Sequence, residues 1–258
     1  LNGGLTNNGA AMLGNVVNGL IQNQSGTISL TSDVAGTGRF DQSSGALFDL
    51  ALRNASFGSL SGEGTVDLRS GRLTIGSDDT NTSFAGTITG TGGITKTGDG
   101  AMALTGVSTY GGTTFINQGT LSLGDGGAIG GGLVANNGTL DFNGSINRSF
   151  GNTISGSGSL TKNGTGLLIL TGANGYNGGT QVLGGVVGFD NGQALGNGDI
   201  GLAGGTGLRN VQVGAVTLAN SVHVSAGTAT LEGVNGSSTT LTGPISGGDV
   251  RFTVAGAG

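Results

Sequence analysis

Apolar side chains in this chain come in short alternations. Met102 and Leu104 lie two apart, as do Leu121 and Leu123, and Leu168 and Leu170. A period of two places such side chains on one face of a strand. Each alternation runs about four or five residues before a Gly or Asn interrupts it, which is strand-and-turn spacing, not helix spacing. A five-residue unit, Gly-x-apolar-x-apolar, recurs at Gly26–Leu30, Gly64–Leu68, Gly71–Ile75, Gly119–Leu123, Gly138–Phe142, Gly185–Phe189 and Gly227–Leu231. Several of its starts are separated by roughly 20 residues or a multiple of that, the length of one coil of a β-solenoid.

A longer repeat overlies the short one. The two lysines, Lys96 and Lys162, and the two tyrosines, Tyr110 and Tyr176, share one sequence offset (162 − 96 = 176 − 110 = 66). Residues 84–130 superpose on residues 150–196 without a gap, and 19 of the 47 positions are identical. The shared frame is Gly92, Thr95-Lys96, Gly98, Gly100, Leu104-Thr105-Gly106, Tyr110, Gly112, Thr114 and Gly119, with its second copy from Gly158 to Gly185. Sixty-six divides into three units of about 22. The expectation is one continuous domain over residues 1–258, an all-β single stack of roughly a dozen coils. Stacking coils ~4.8 Å apart lets each short strand pair with the coils above and below. Glycine and Asn-Gly pairs such as Asn163-Gly164 suit the corners, where φ is often positive. Antiparallel hairpins are the rival reading of Asn-Gly, but they do not explain the recurrence.

Taken in order, Leu1–Gly26, with apolar islands at Met12-Leu13, Val16-Val17 and Leu20-Ile21, reads as one or two entering coils. Ala46–Leu52 resembles a short helix, yet its Ser, Gly and Asn neighbours favour strand and turn. Val66 and Leu68 alternate with Asp67 and Arg69, and Leu73 and Ile75 with Arg72 and Thr74, which puts opposite charges on the outward face. Ser77–Ser83 is the most polar stretch and reads as a loop leaving the solenoid body. Val211 and Val213, Val216 and Leu218, Val222 and Val224, and then Thr228–Leu231, Thr239–Ile245 and Val250–Val254 read as further strands. Ala255–Gly258 ends without a capping signal.

Composition narrows the picture. Sixty of 258 residues are glycine and one is proline, which excludes collagen. Disorder is the competing reading of a chain so rich in glycine; low charge and evenly spaced Leu, Ile, Val and Phe argue against it. The net charge of −5 and nine scattered basic residues disfavour a nucleic-acid partner. The absence of cysteine removes disulfides and thiolate chemistry. No apolar run reaches membrane-spanning length. Leu1 stands where an initiator Met would be, and the expectation is a fragment of a longer polypeptide.

The run Gly92–Gly100, continued by Leu104-Thr105-Gly106, Tyr110–Thr114 and Gly119-Thr120-Leu121, resembles the autotransporter-associated β-strand repeat of Gram-negative type V secretion. Gly158–Val187 resembles it too, departing at Gly185-Val186-Val187 and at Gly179 in place of Thr113. The resemblance implies a right-handed parallel β-helix within a passenger domain, exported through a C-terminal β-barrel that anchors it at the cell surface. It implies a structural and secretory role for the repeat. Family members commonly act as adhesins or aggregation factors.

Candidate chemistry is sparse, and no residue is assigned as catalytic, cofactor-binding or metal-ligating. His223, the one histidine, sits between Val222 and Val224 and so points to solvent if the valines are core. Ser159-Leu160-Thr161-Lys162 spells a nucleophile motif, but the first copy has Gly93 in place of the serine. Gly196–Gly201 spells G-x-G-x-x-G with no helix after it. Asp78-Asp79 is the one adjacent acidic pair; it lacks the nonapeptide calcium pattern. Whether Asp125, Asp141 and Asp190 stack on one face, as a polysaccharide-active site requires, is open. The eight Asn-x-Ser/Thr sequons follow from composition. The leading expectation is a structural, adhesive segment that is not an enzyme and takes no cofactor. It would bind another copy of itself, host matrix or glycans through long polar faces, without inserting into a membrane. A polysaccharide-active enzyme and a passive spacer are the alternatives.

Overall fold

The computed structural model describes residues 4–14 and 17–254. Leu1, Val16 and Ala255–Gly258 lie outside the described residues, so the expectations on them stand as made. Among the described residues the regular elements are all strands, paired in parallel, and the fold is a β-solenoid of about 12 turns. The chain divides into two compact units, Leu1–Gly138 and Thr139–Gly258.

Unit 1 has three ladders. One runs through Leu5–Leu13, Ile21–Leu30, Arg39–Gln42, Ser59–Gly62, Thr82–Phe84, Ala101–Leu104 and Thr120–Leu123. The second links Ile21–Leu30, Leu47–Asp49, Thr65–Asp67 and Thr87–Thr89. The third links Val34–Ala35, Ala55–Phe57, Arg72–Ile75, Gly93–Lys96, Thr114–Ile116 and Val134–Asn136. In unit 2 one ladder joins Thr139–Phe142, Ser159–Lys162, Thr180–Val182, Ile200–Leu202, Val222–Gly233 and Ile245–Val254. Another joins Arg148–Phe150, Leu167–Leu170, Val186–Phe189 and Gly207–Asn210, and also ends on Val222–Gly233.

The short unit found in the sequence builds this stack. In all seven copies of Gly-x-apolar-x-apolar, both apolar residues are buried. The alternating position points out, so each strand lays one stripe of core and one stripe of surface. A coil is closed by three such strands, and its interior is visible in unit 1, where each side contributes one aromatic ring. Phe40, Phe48 and Phe57 meet with centroids 4.6, 5.0 and 5.7 Å apart. Gly119 and Gly185, at the same place in the two long copies, have φ of +65° and +64°. A Cβ at Gly119 would fall 2.4 Å from the Gly98 carbonyl, and one at Gly185 2.6 Å from the Thr165 carbonyl, so only glycine fits both the conformation and the space.

Coil length departs from the expected 22. Through the long copies one coil carries Ile94 to Thr114 (114 − 94 = 20), Met102 to Leu121 (121 − 102 = 19) and Leu167 to Val186 (186 − 167 = 19). The offset of 66 is not a whole number of such coils. Lys96 therefore stacks between Ile75 and Ile116, and Lys162 between Phe142 and Val182. The long repeat encodes local corner geometry. It does not count turns.

Three further expectations meet the structure. Ala46–Leu52 is strand and turn: Leu47–Asp49 is a strand, and Ala51 and Leu52 turn with φ of 49° and 71°. Ser77–Ser83 does not leave the body. Asp78 accepts from the Ser59 hydroxyl at 2.6 Å, Asp79 from the Asp99 N–H at 2.7 Å, and Asn81 from the Ala101 N–H at 2.7 Å, so its polar side chains bind the coils on either side. Val213 lies outside the core at 70 % exposure, and so does Phe252 at 67 %. Val213 falls in a turn between strands, and Phe252 is exposed on the strand Ile245–Val254.

Replacing Phe48 by Ala should remove the centre of the three-ring layer and destabilise unit 1 by about 3–5 kcal/mol. Chemical denaturation followed by far-UV circular dichroism checks this, with Leu52→Ala, at an exposed turn, as the near-neutral control.

Candidate functional site

The polar residues of the long repeat are inside the solenoid. Lys96 is 1 % exposed and Lys162 2 %. Lys96 closes the strand Gly93–Lys96 and Lys162 the strand Ser159–Lys162; each side chain enters the core and its ammonium returns to a corner. Lys96 Nζ donates to the carbonyls of Thr97, of Gly98 at 2.8 Å and of Gln118 at 3.4 Å. Lys162 Nζ donates to the Gly164 carbonyl. Burial lowers the pKa of both ammonium groups, opposed by Asp79, Asp99 and Asp78 at the first and by Asp141 at the second. The lysines thus cap corner carbonyls that tight turns leave without ladder partners.

Tyr110 and Tyr176 are fully buried, and each phenol shares a 2.6 Å hydrogen bond with a buried threonine four residues on, Thr114 and Thr180. Burial raises both phenol pKa values well above the ordinary 10, with the threonine contact acting in the opposite sense. A third pair was not visible as an identity. Ser108 Oγ accepts from the Ile88 N–H at 3.3 Å, and Asn174 Oδ1 from the Ile154 N–H at 2.8 Å. Acceptors and donors alike keep the offset of the long repeat (174 − 108 = 154 − 88 = 66), so the acceptor is kept while the residue changes. The signal was a small polar residue at one place in both copies.

A further polar column stands inside unit 1. Asn7 donates to Asn23 at 2.8 Å, Asn23 to Gln42 at 3.1 Å, and Gln42 to the carbonyls of Ala46 at 2.8 Å and Thr65 at 2.9 Å. All three amides are buried. The expected polar ladders were outward ones; this one is interior, and alternation alone does not reveal it.

Outside, the strands carry rows of hydroxyls and charges. Thr65 and Thr87 approach at 3.4 Å, as do Thr139 and Ser159. Asp49 and Asp67 face each other on adjacent coils, and Arg69 bridges both at 3.1 Å. This is the pairing of opposite charges between coils that the sequence predicts. The Arg69 guanidinium holds the Asp49 carboxyl below its ordinary range against the opposing effect of burial.

The sequence-derived candidates do not converge. His223 is exposed and its Nδ1 lies 3.1 Å from Ser246 Oγ on the next coil. Ser159 and Lys162 are on opposite faces of one strand, Lys162 in the core and Ser159 outward, so the lysine cannot activate the hydroxyl. Gly196 and Gly198 present carbonyls, not a phosphate cradle, and Asn220 Nδ2 donates to both at 3.0 and 2.7 Å. At Asp78, burial raises the pKa, but hydrogen bonds from Ser59 and Thr80 outweigh it and hold the carboxyl low. Asp141 is buried on a strand and accepts from Asn163 at 2.7 Å, while Asp190 lies in a turn and accepts from Asn191 at 2.8 Å, so these two do not share a row. Asp125 lies in a turn of the other unit. Among the described residues no three His, Cys, Asp or Glu side chains gather as a metal site, and no helix is long and apolar enough to cross a membrane.

Residues 94–123 and 160–187 match the passenger-associated-transport-repeat family. The two matches start at the offset of the long repeat (160 − 94 = 66), and each contains one capping lysine, one Tyr–Thr pair and one corner acceptor. No curated protein and no solved structure matches the chain.

Tyr110→Phe should cost about 1–3 kcal/mol by leaving the buried Thr114 hydroxyl without its partner, and Tyr110→Phe with Thr114→Val should recover part of that. The phenols also set a pH dependence. The unfolded chain loses its phenolic protons near pH 10 while the native one retains them, so stability falls as pH rises above 10. Urea unfolding at pH 9 and pH 11 should show that fall in the native sequence and less of it in the Tyr110→Phe, Tyr176→Phe variant. Lys96→Met, which keeps the apolar stem and removes the donors, should destabilise by about 1–3 kcal/mol in the same assay.

Proposed function

We propose, for a chain that two passenger-associated transport repeats on a parallel β-solenoid identify as an autotransporter passenger segment, that its function is adhesion without catalysis. The repeat family implies a secreted or cell-surface protein of Gram-negative bacteria. In this reading a C-terminal β-barrel outside this sequence holds it at the cell surface, and the solenoid meets other cells, host matrix or glycans.

The observation that carries the reading is the division of polar groups. The lysines, tyrosines and buried amides are engaged in holding coils together, while the outward strand faces carry rows of hydroxyls at one-coil intervals. Contacts from such rows are individually weak. Engaged together, they multiply by effective concentration, by about 10²–10⁴-fold over one contact. A cleft with convergent acids would argue for turnover, and Asp141 and Asp190 do not form one. Identical copies offer the same rows to each other, so self-association is the simplest form of this adhesion.

Sedimentation velocity across a hundredfold range of concentration should show a reversible dimer or larger species. Glycan and matrix surfaces should retain the chain without cleavage of the glycan. A monomer at every concentration that no surface retains would replace adhesion with a spacer role, and glycan cleavage would replace it with an enzymatic one.

A further inference from the structure

Among the described residues positive φ falls on 17 glycines and on four other residues, Ala51, Leu52, Arg69 and Asp79. Three of those four belong to two turns on adjacent coils, which follow the paired residues Asp49 and Asp67. In the first turn the Arg53 N–H donates to the Leu50 carbonyl at 2.8 Å, with φ of 49° at Ala51 and 71° at Leu52 between them. Positive φ at both central positions is the pattern of a type I′ turn, where Asn-Gly is the low-strain choice. The chain has Asn-Gly at Asn137-Gly138, Asn163-Gly164 and Asn235-Gly236, yet it has Ala-Leu here.

Arg69 has a task in the fold that explains its conformation. Its guanidinium ties two coils together, with Nε 3.2 Å from Asp49 Oδ1 and 3.1 Å from Asp67 Oδ2, and Nη2 3.1 Å from Asp49 Oδ2. Leu52 has no such task. It is 70 % exposed, so a strained leucine holds its side chain in water. That side chain lines a shallow groove of about 420 Å³ together with Asp67, Arg69, Ser70, Thr89 and Thr91. The groove joins an apolar wall to polar groups that are already fixed. Arg69 Nη1 has no partner among the described residues, and neither has the exposed Ser70 hydroxyl. Thr91 Oγ1 donates to the Arg69 carbonyl at 2.9 Å and keeps its lone pairs as acceptors. Two carboxylates around one guanidinium leave the corner negatively charged.

We propose that this groove binds a neutral sugar residue of a glycan, with the apolar face of the ring on Leu52 and its hydroxyls on Arg69 Nη1, Ser70 and Thr91. The proposal rests on the adhesive reading and deepens it by naming the ligand class and the residues. A sugar ring has an apolar C–H face and a rim of hydroxyls that both donate and accept, which is the complement of this lining. Arg69 is held in place by two carboxylates before the ligand arrives, so little ordering is needed on binding. The same carboxylates repel an acidic sugar. Strain at Leu52 is then the cost of presenting an apolar side chain where a glycine would present none.

The test is calorimetric titration of the whole chain with three neutral oligosaccharides, cellohexaose, maltohexaose and laminarihexaose, and with oligogalacturonate as the acidic comparison. The native chain is compared with Leu52→Gly, Leu52→Met and Ser70→Ala, and the thermal unfolding of each is recorded. At least one neutral oligosaccharide should bind, and more tightly than oligogalacturonate. Leu52→Gly should weaken that binding about tenfold while leaving the thermal midpoint unchanged or raised, since the strain is relieved. Leu52→Met keeps an apolar wall and should keep the binding. Ser70→Ala should weaken binding with no shift in unfolding. Equal binding by Leu52→Gly, a lowered midpoint in that variant, preference for oligogalacturonate, or no binding of any neutral oligosaccharide would each overturn the proposal. Self-association by sedimentation and retention on matrix surfaces are read separately, so this groove can fail while the adhesive reading stands.

Discussion

In a parallel solenoid each residue rests on the one that occupied its place a coil earlier. The backbone ladder enforces this, since inter-coil N–H and C=O groups must pair along the stacking direction. Every side-chain choice is then made twice, once for its own strand and once for the strands it touches above and below. Phe40, Phe48 and Phe57 fill one layer from three sides, and Ile21 and Leu60 stack on Phe40. The core is a sequence of thin layers, each dependent on its neighbours.

Corners are where that ladder weakens, and the long repeat is a solution to corners. Strands supply partners for their own backbone; turns of one or two residues do not. Lys96, Lys162 and Asn220 bring side-chain donors to such carbonyls, and Ser108 and Asn174 bring acceptors to N–H groups. Tyr110 and Tyr176 fill the volume beside a corner and tie their one polar atom to a threonine. Polar side chains such as these are tolerable inside a narrow core because each makes a hydrogen bond where it stands.

Much of this was legible beforehand, and the reason is steric. Alternation with glycine at a fixed offset has one solution in strands, so Leu121 and Leu123, or Val187 and Phe189, announce the core directly. The fate of Lys96 was not legible, because a lysine on an alternating strand is ordinarily a surface residue. Its inward turn depends on how the next corner folds. The Ser108–Asn174 position was hidden because the repeat preserves a hydrogen-bond role and not a residue. Ser77–Ser83 misled by composition: its polar side chains face neighbouring coils, not solvent alone.

The amide column Asn7–Asn23–Gln42 carries an implication for how such a gene can change length. Each amide has its donor aimed at the next and its register fixed by the turn between them. Insertion or deletion of a few residues would swing one amide to the outside and strand its neighbours in an apolar shaft. Unit 1 can therefore lengthen or shorten there only by whole turns, like a staircase that accepts new steps but not fractions of one.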